Sequence, residues 1–494
     1  MFRYLPRVFY FVAPLLVCIG LSVPASAQTN HQIFDQYIND NMAKHGVVGV
    51  SIALIENNKI EHRYVSGYAN ADTGIKLNPS NVFQVGSISK PVAAWAIMQL
   101  VQSGKLDLDK PVSTYLTRWQ LPGSDFDASK VTLRRLLSHT AGLSLGSYPG
   151  FALEQPLPTI EASLSGDTNG AGAVFIQTEP GTRWSYSGGG YTLMQLIVEE
   201  VTGMTFSNYI NDIVLTPLSM YRSSYRPDPS LLAGMAHAHG YSGTVLPNFH
   251  FTAEAAASLH STAEDLAKFA LANMQTNPVL DNSTLQLMHS PAENSAGRHG
   301  LGFSLVGDGN IVGHGGSNTG WKAMVRFVPR TGAGIVVLTN SDSGDKLTID
   351  ALCFWNTHYA IGYLDKGCQD RLDQQQELAL ILVVIGVGFL LASAVAIWLM
   401  RKRYLSGHYG VDLNAYRAIG KLMGILVPLI ILFCWVTFWH TEVGVYLIFG
   451  SWYTRAADVM PAEFLYLSSG LVVFVISLIG LTLMREKKNG SKHQ

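Results

Sequence analysis

Val85-Gly86-Ser87-Ile88-Ser89-Lys90-Pro91-Val92-Ala93-Ala94-Trp95-Ala96-Ile97-Met98-Gln99-Leu100-Val101 is the stretch on which the reading of this chain turns. From Val92 onward it is apolar on almost every side, as a helix buried all round must be. Pro91 suits the first turn of such a helix. Lys90 lies three residues from Ser87 and therefore on the same helical face. A lysine at the mouth of a buried helix is costly unless it has a partner or a task. Desolvation favours its neutral form, which can take the proton of a serine hydroxyl. A serine at the helix start meets converging backbone N–H groups and the positive end of the dipole. The bare Ser-x-x-Lys pattern recurs at Ser343-Gly344-Asp345-Lys346, but that stretch reads as a polar turn with little exported chain after it. Gly142-Leu143-Ser144-Leu145-Gly146 fits G-x-S-x-G. That motif needs a strand before it and a helix after it, and here a helix-like run precedes and a turn follows.

Working outward, residues 47–69 read as a hairpin: a strand over 48–55, a turn at Asn57-Asn58 and a return strand over 60–67. Strand-like runs reappear only far downstream, at 311–314, 321–329 and 334–340. Helical patterns, such as 191–202 and 261–274, fill the middle. Strands from both ends with helices between predict an α+β fold, one antiparallel sheet flanked by helices with a helical insertion. No internal repeat or low-complexity stretch is seen. Two further segments carry chemistry. Pro180-Gly181-Thr182-Arg183-Trp184-Ser185-Tyr186-Ser187-Gly188 is a turn entering a helix, and His314-Gly315-Gly316-Ser317-Asn318 follows a short strand. The glycines of the second let a substrate approach the backbone.

With these segments in view the chain resembles the serine β-lactamase-like hydrolases of the class C type, with their relatives among penicillin-binding proteins, D-peptidases and esterases. The resemblance covers roughly residues 35–360. Its carriers are the Ser87–Lys90 segment, Leu136-Leu137-Ser138-His139-Thr140-Ala141-Gly142-Leu143, the Tyr186 segment, Ser261-Thr262-Ala263-Glu264-Asp265-Leu266 and His314-Gly315-Gly316. It implies a β-lactamase/transpeptidase-like fold with Ser87 as nucleophile and Lys90 and Tyr186 as its proton-handling partners. It also implies an oxyanion hole from the backbone N–H groups of Ser87 and Ser317, with His314, Gly316 and Asn318 beside the substrate. Two departures stand out. Gly188 occupies the place where the family's tyrosine motif often has asparagine, and His314 the place of the β-lactamase lysine. A neutral imidazole is a weaker anchor for a carboxylate than an ammonium. His-x-Gly at that place is similar to D-aminopeptidases, D-peptidases and related esterases. His139, at a helix-to-turn junction, reads as a capping or packing residue rather than as the base of a triad. No histidine spacing reads as a metal site, and no cofactor is implied.

The ends of the chain place the domain. Residues 1–27 read as a signal peptide: Arg3 and Arg7, an apolar stretch over 9–21, and Ala25-Ser26-Ala27 as cleavage site. Residues 28–365 form the exported domain and 366–377 a linker. Three apolar runs follow, at 378–400, 423–439 and 465–484, each read as a transmembrane helix. Basic residues crowd the loop over 401–421 and the tail after 484, whereas the loop over 440–464 has Arg455 alone. The positive-inside rule puts the basic segments in the cytoplasm and the catalytic domain in the periplasm, at a bacterial inner membrane. The layout is similar to that of the colibactin maturation peptidase and other prodrug-activating peptidases. Cys353 and Cys368 would face an oxidising compartment, either paired or both free. A formal net charge of −1 implies no nucleic-acid partner.

The reading is thus a membrane-anchored serine hydrolase that forms an acyl-enzyme on Ser87, acting on acylated D-amino-acid amides or peptides. A carboxylesterase or weak β-lactamase is the alternative, and a penicillin sensor without turnover a further one. The oligomeric state stays open. The charge reading predicts topology: a reporter fused after Gln494 works only if active in the cytoplasm, and one inserted near Trp452 behaves as periplasmic. The reverse pattern would contradict it.

Overall fold

Asn57 and Asn58, at φ 51° and 62°, turn the chain between strand β1 (Gly49–Glu56) and strand β2 (Lys59–Asn70). A two-residue hairpin of this kind needs left-handed backbone at both central positions, which asparagine tolerates. The hairpin lies in a computed structural model that describes residues 29–360, 366–407, 409–411 and 461–486.

β1 is buried from Gly49 to Ile55 because both its faces are covered. Val50, Ile52 and Leu54 enter one core, and Ala53 and Ile55 the other. Its second neighbour comes from the far end of the domain. Adding β3 (Ile75–Lys76), β4 (Ser304–Val306), β5 (Ile311–Asn318), β6 (Trp321–Val328) and β7 (Ala333–Thr339) gives a seven-stranded sheet in the order β4-β5-β6-β7-β1-β2-β3. Every pairing in it is antiparallel, with Val50 opposite Thr339 and Ile55 opposite Gly334. The two ends of the domain therefore build one sheet, as the strand distribution predicts.

Helices α1 (Asn30–His45) and α7 (Gly344–His358) close one face, where Phe34, Ile38 and Trp355 join Val50, Ile52, Ile335 and Val337. The sequence reading assigned neither helix. Thr29 and Gln32 form a capping box that starts α1. The other face carries α2 (Ser89–Gln102) and α6 (Ala263–Ala272), and beyond them α3 (Leu133–Leu137), α4 (Gly188–Thr202) and the single turn α5 (Glu254–Ala257). Helix α2 is buried along almost its whole length, with Trp95 fully enclosed. Two boundaries differ from expectation. Ser87 precedes α2, in the 3-10 turn Gly86–Ile88. The strand beginning at Ile311 runs on through the glycines to Asn318, because β6 pairs with it along that whole length.

The segment read as a linker, 366–377, belongs to one long helix, α8 (Lys366–Leu405), continuous with the first apolar run. Among the described residues, Val384–Leu405 is the helical stretch long and apolar enough to cross a membrane. Helix α9 (Pro461–Leu483) covers most of the run at 465–484, with a shorter apolar stretch over Gly470–Ile479. The two helices touch where a Cβ on Gly470 would lie 2.8 Å from the Gly386 carbonyl oxygen. The expected signal peptide and the run at 423–439 lie outside the described residues.

The first core generates a stability prediction. Trp355 is 1% exposed and Tyr221 is 74% exposed. Trp355→Ala removes a fully packed ring and is expected to cost about 3–5 kcal/mol. Tyr221→Ala should stay within about 0.5 kcal/mol. Urea unfolding followed by tryptophan fluorescence and circular dichroism checks both, and equal midpoints would contradict the packing.

Candidate active site

Lys90 is the buried charge of α2, 2% exposed. Its Nζ donates to Ser87 Oγ at 3.0 Å and to the Ala256 carbonyl at 2.7 Å. Burial brings its pKa down to about 7, so near neutrality a large fraction of the amine is uncharged and able to accept a proton. The rings of Tyr186 and Tyr191 wall it in, their centroids 4.9 and 5.7 Å from Nζ. Ser89, the middle serine of the motif, ties the turn down. It donates to the Gly86 carbonyl at 2.6 Å and accepts the Leu259 N–H at 2.9 Å.

Strand β5 presses against this turn. Gly86 has φ 51°, and a Cβ there would lie 2.6 Å from the Ser317 nitrogen. On Gly316 a Cβ would fall 3.0 Å from the Ser87 nitrogen and in collision with the Val85 carbonyl oxygen. Only glycine permits both approaches. They bring the backbone of Ser317 against that of Ser87. Strand β4 pairs with β5 only as far as Gly313, so the edge over 314–318 is not paired with β4. An unpaired edge is a template for an extended segment of another molecule.

The residues expected beside the substrate separate here. Ser317 Oγ accepts from Lys322 Nζ at 2.9 Å. Asn318 Nδ2 donates to Gln84 Oε1 at 2.9 Å and to the Ala257 carbonyl at 3.3 Å, so its amide ties β5 to α5. His314 is 6% exposed and donates from Nδ1 to the Gly315 carbonyl. Its ring turns inward toward His299 and Tyr186. Burial first, then His299 and Lys90, hold its pKa well below the ordinary imidazole value. The place of Gly188 is bounded by the Gly146 carbonyl and the Tyr148 ring, 3.1 and 3.3 Å from where a Cβ would sit.

His139, at φ 58°, holds the Tyr186 segment from below. Its carbonyl accepts the Ser185 N–H at 2.7 Å and its Nδ1 the Ser187 N–H at 3.1 Å. The fold also brings His139, His299 and His314 together, with one nitrogen of each within 4.8 Å of the others. No spacing in the sequence signals this cluster, because its members come from three separate segments. Ser144 Oγ is committed to the Ala173 carbonyl and the Phe175 N–H. Ser343 Oγ donates to the Gly46 carbonyl on the α1 side of the sheet.

A family model described as Beta-lactamase matches residues 34–352. The chain is 24% identical over 327 residues to the protein flp of Staphylococcus aureus strain N315, covering 64% of each. It therefore spans less than two thirds of the length of that relative. It is 27% identical over 341 residues to penicillin-binding protein 4 of Amycolatopsis lactamdurans, covering 63% of this chain and 85% of that one. Among solved structures, the penicillin-binding protein homologue of Pyrococcus abyssi is similar with TM-score 0.58 at 24% identity, over 68% of this chain and 79% of that one. The D-amino acid amidase of Ochrobactrum anthropi has TM-score 0.55 at 25% identity, over 66% and 98%.

The buried lysine gives a pH prediction. If uncharged Lys90 takes the Ser87 proton, covalent labelling of Ser87 by a fluorophosphonate rises with pH through about 7 and levels off above it. A rate that falls across this range would remove Lys90 from the base role.

Proposed function

The chain belongs to the beta-lactamase family, and on that premise we propose that it is a periplasmic, membrane-anchored serine hydrolase that cleaves acylated D-amino-acid amides or peptides. Ser87 attacks the substrate carbonyl. Lys90 and Tyr186 take its proton and return it to the leaving amine, and water clears the acyl-enzyme. The N–H groups of Ser87 and Ser317 hold the oxyanion, usually the largest single catalytic contribution. The observation that carries the reading is the 3.0 Å contact between a desolvated lysine and the Ser87 hydroxyl. The unpaired edge of β5 beside it suits an extended peptide-like substrate.

Preference for a D-amino acid rests on the likeness to the Ochrobactrum anthropi amidase, at 25% identity. A buried, neutral His314 in place of a cation fits a substrate that lacks a strongly held carboxylate there. Three C-terminal spans would anchor the domain, and Val384–Leu405 supports the first of them. Cys353 is disulfide-bonded, which fits an oxidising compartment.

Labelling and turnover test the proposal together. Ser87→Ala should abolish fluorophosphonate or penicillin labelling, while Ser144→Ala and Ser343→Ala keep it. Turnover of acyl-D-amino-acid amides should exceed that of their L-enantiomers, of simple esters and of nitrocefin-type lactams. Labelling that survives Ser87→Ala sinks the site, and equal turnover of both enantiomers sinks the substrate class.

A further inference from the structure

His139 is more than a packing residue. Its carbonyl and Nδ1 take the backbone N–H groups on both sides of Tyr186, and its ring lies 4.3 Å from the Tyr186 ring, centroid to centroid. Two hydrogen bonds fix tautomers in the cluster behind that ring. Because His139 accepts at Nδ1, its proton is on Nε2. Because His314 donates from Nδ1 to a carbonyl, its Nε2 is a lone pair. The Nε2 atoms of His139 and His299 are both buried without a protein partner among the described residues. A buried polar atom left so is destabilising, and a buried water commonly satisfies it.

We propose that His139, His299 and His314 form a positioning unit for Tyr186, closed by one buried water. The water accepts the His139 Nε2 hydrogen and donates to Nε2 of His314 and of His299. A tetrahedral water with hydrogen bonds of about 2.9 Å spaces its partners about 4.7 Å apart, and one nitrogen of each of the three rings lies within 4.8 Å of the others. Three polar partners are the usual number for a buried water. A divalent metal fits the same atoms less well. Ligation through His139 Nε2 would require the proton that now sits there to leave, and the Ser187 N–H would then face an Nδ1 hydrogen. The basic groups that act on the cluster are Lys90 from α2, with its pKa brought down to about 7, and Arg326 from β6. The phenols of Tyr186 and Tyr191 also pack against it.

The inference rests on Tyr186 acting in the hydrolase site, and its test has a readout that does not. In full-length enzyme with ¹⁵N-labelled histidine, long-range ¹H–¹⁵N spectra should show His139 protonated at Nε2, and His299 and His314 at Nδ1. His299→Leu removes the polar nitrogen and should slow Ser87 labelling between about tenfold and a hundredfold, the cost of a misplaced group. His299→Gln restores a polar atom of similar reach and should return the rate to within about threefold of the unaltered chain. His139 protonated at Nδ1 would overturn the proposal. So would full-rate labelling of His299→Leu, or one-to-one Zn²⁺ uptake by the unaltered chain that His299→Leu abolishes. No labelling of the unaltered chain would count against the hydrolase reading alone, because the tautomers are measured without it.

Discussion

A lysine ammonium at the base of a buried helix is the constraint to which the rest of the molecule answers. Removing it from water favours the neutral amine, and the shift to about 7 is caused by burial. The fold builds that burial from parts far apart in sequence. The Ala256 carbonyl comes from α5, the two aromatic rings from the start of α4 and the turn before it, and the serine from the turn that β5 clamps. The seven-stranded sheet is the frame that lets these parts meet, because its order puts the last strands beside the first hairpin.

The same economy of charge runs through the wall beside the lysine. His139, His299 and His314 are all buried, and burial is the first cause of the low pKa of each, with His299 brought to about 3. Three neutral imidazoles supply hydrogen-bonding groups without adding positive charge next to Lys90. A second fixed ammonium at the place of His314 would favour neutral Lys90 further by repulsion. Burial alone already accounts for the shift seen here, and the imidazoles leave hydrogen-bond donors and acceptors free to organise the Tyr186 segment.

Much of the fold was legible because it is written in local patterns. The Asn57-Asn58 turn, the apolar run of β1 and the all-round apolar α2 each leave a signature in consecutive residues. The Ser87–Lys90 pair was legible for the same reason, since a spacing of three also brings side chains together in the 3-10 turn that holds Ser87. What escaped depends on tertiary pairing. β5 continues through Gly315 and Gly316 because β6 lies beside it, although glycine weakens a strand. The Gln84, Ala257 and Gly315 partners of Asn318 and His314 are likewise set by the packing and not by residue type. The acceptor for Lys90 is a backbone carbonyl, which no residue type announces.

The helices after the domain show how far composition reaches and where contact takes over. From Val384 to Met400 helix α8 is apolar and largely exposed, the expected state for a surface that lipid would cover. Its buried positions form a seam instead. Gly386, Ser393 and Ala396 are enclosed on α8, as are Gly470, Leu471, Val475 and Ser477 on α9. Gly386 to Ser393 and Gly470 to Ser477 are both seven residues apart, the repeat that keeps one helical stripe facing a partner. In lipid no hydrophobic gain draws two apolar helices together, so close backbone approach at small residues does that work. Gly386 meets this demand at the Gly470 contact, whereas nothing lies within 4 Å of a Cβ built on Gly388. Ser393 and Ser477 each bond back to the carbonyl four residues earlier, which satisfies their hydroxyls within the helix and leaves their place in the seam to packing.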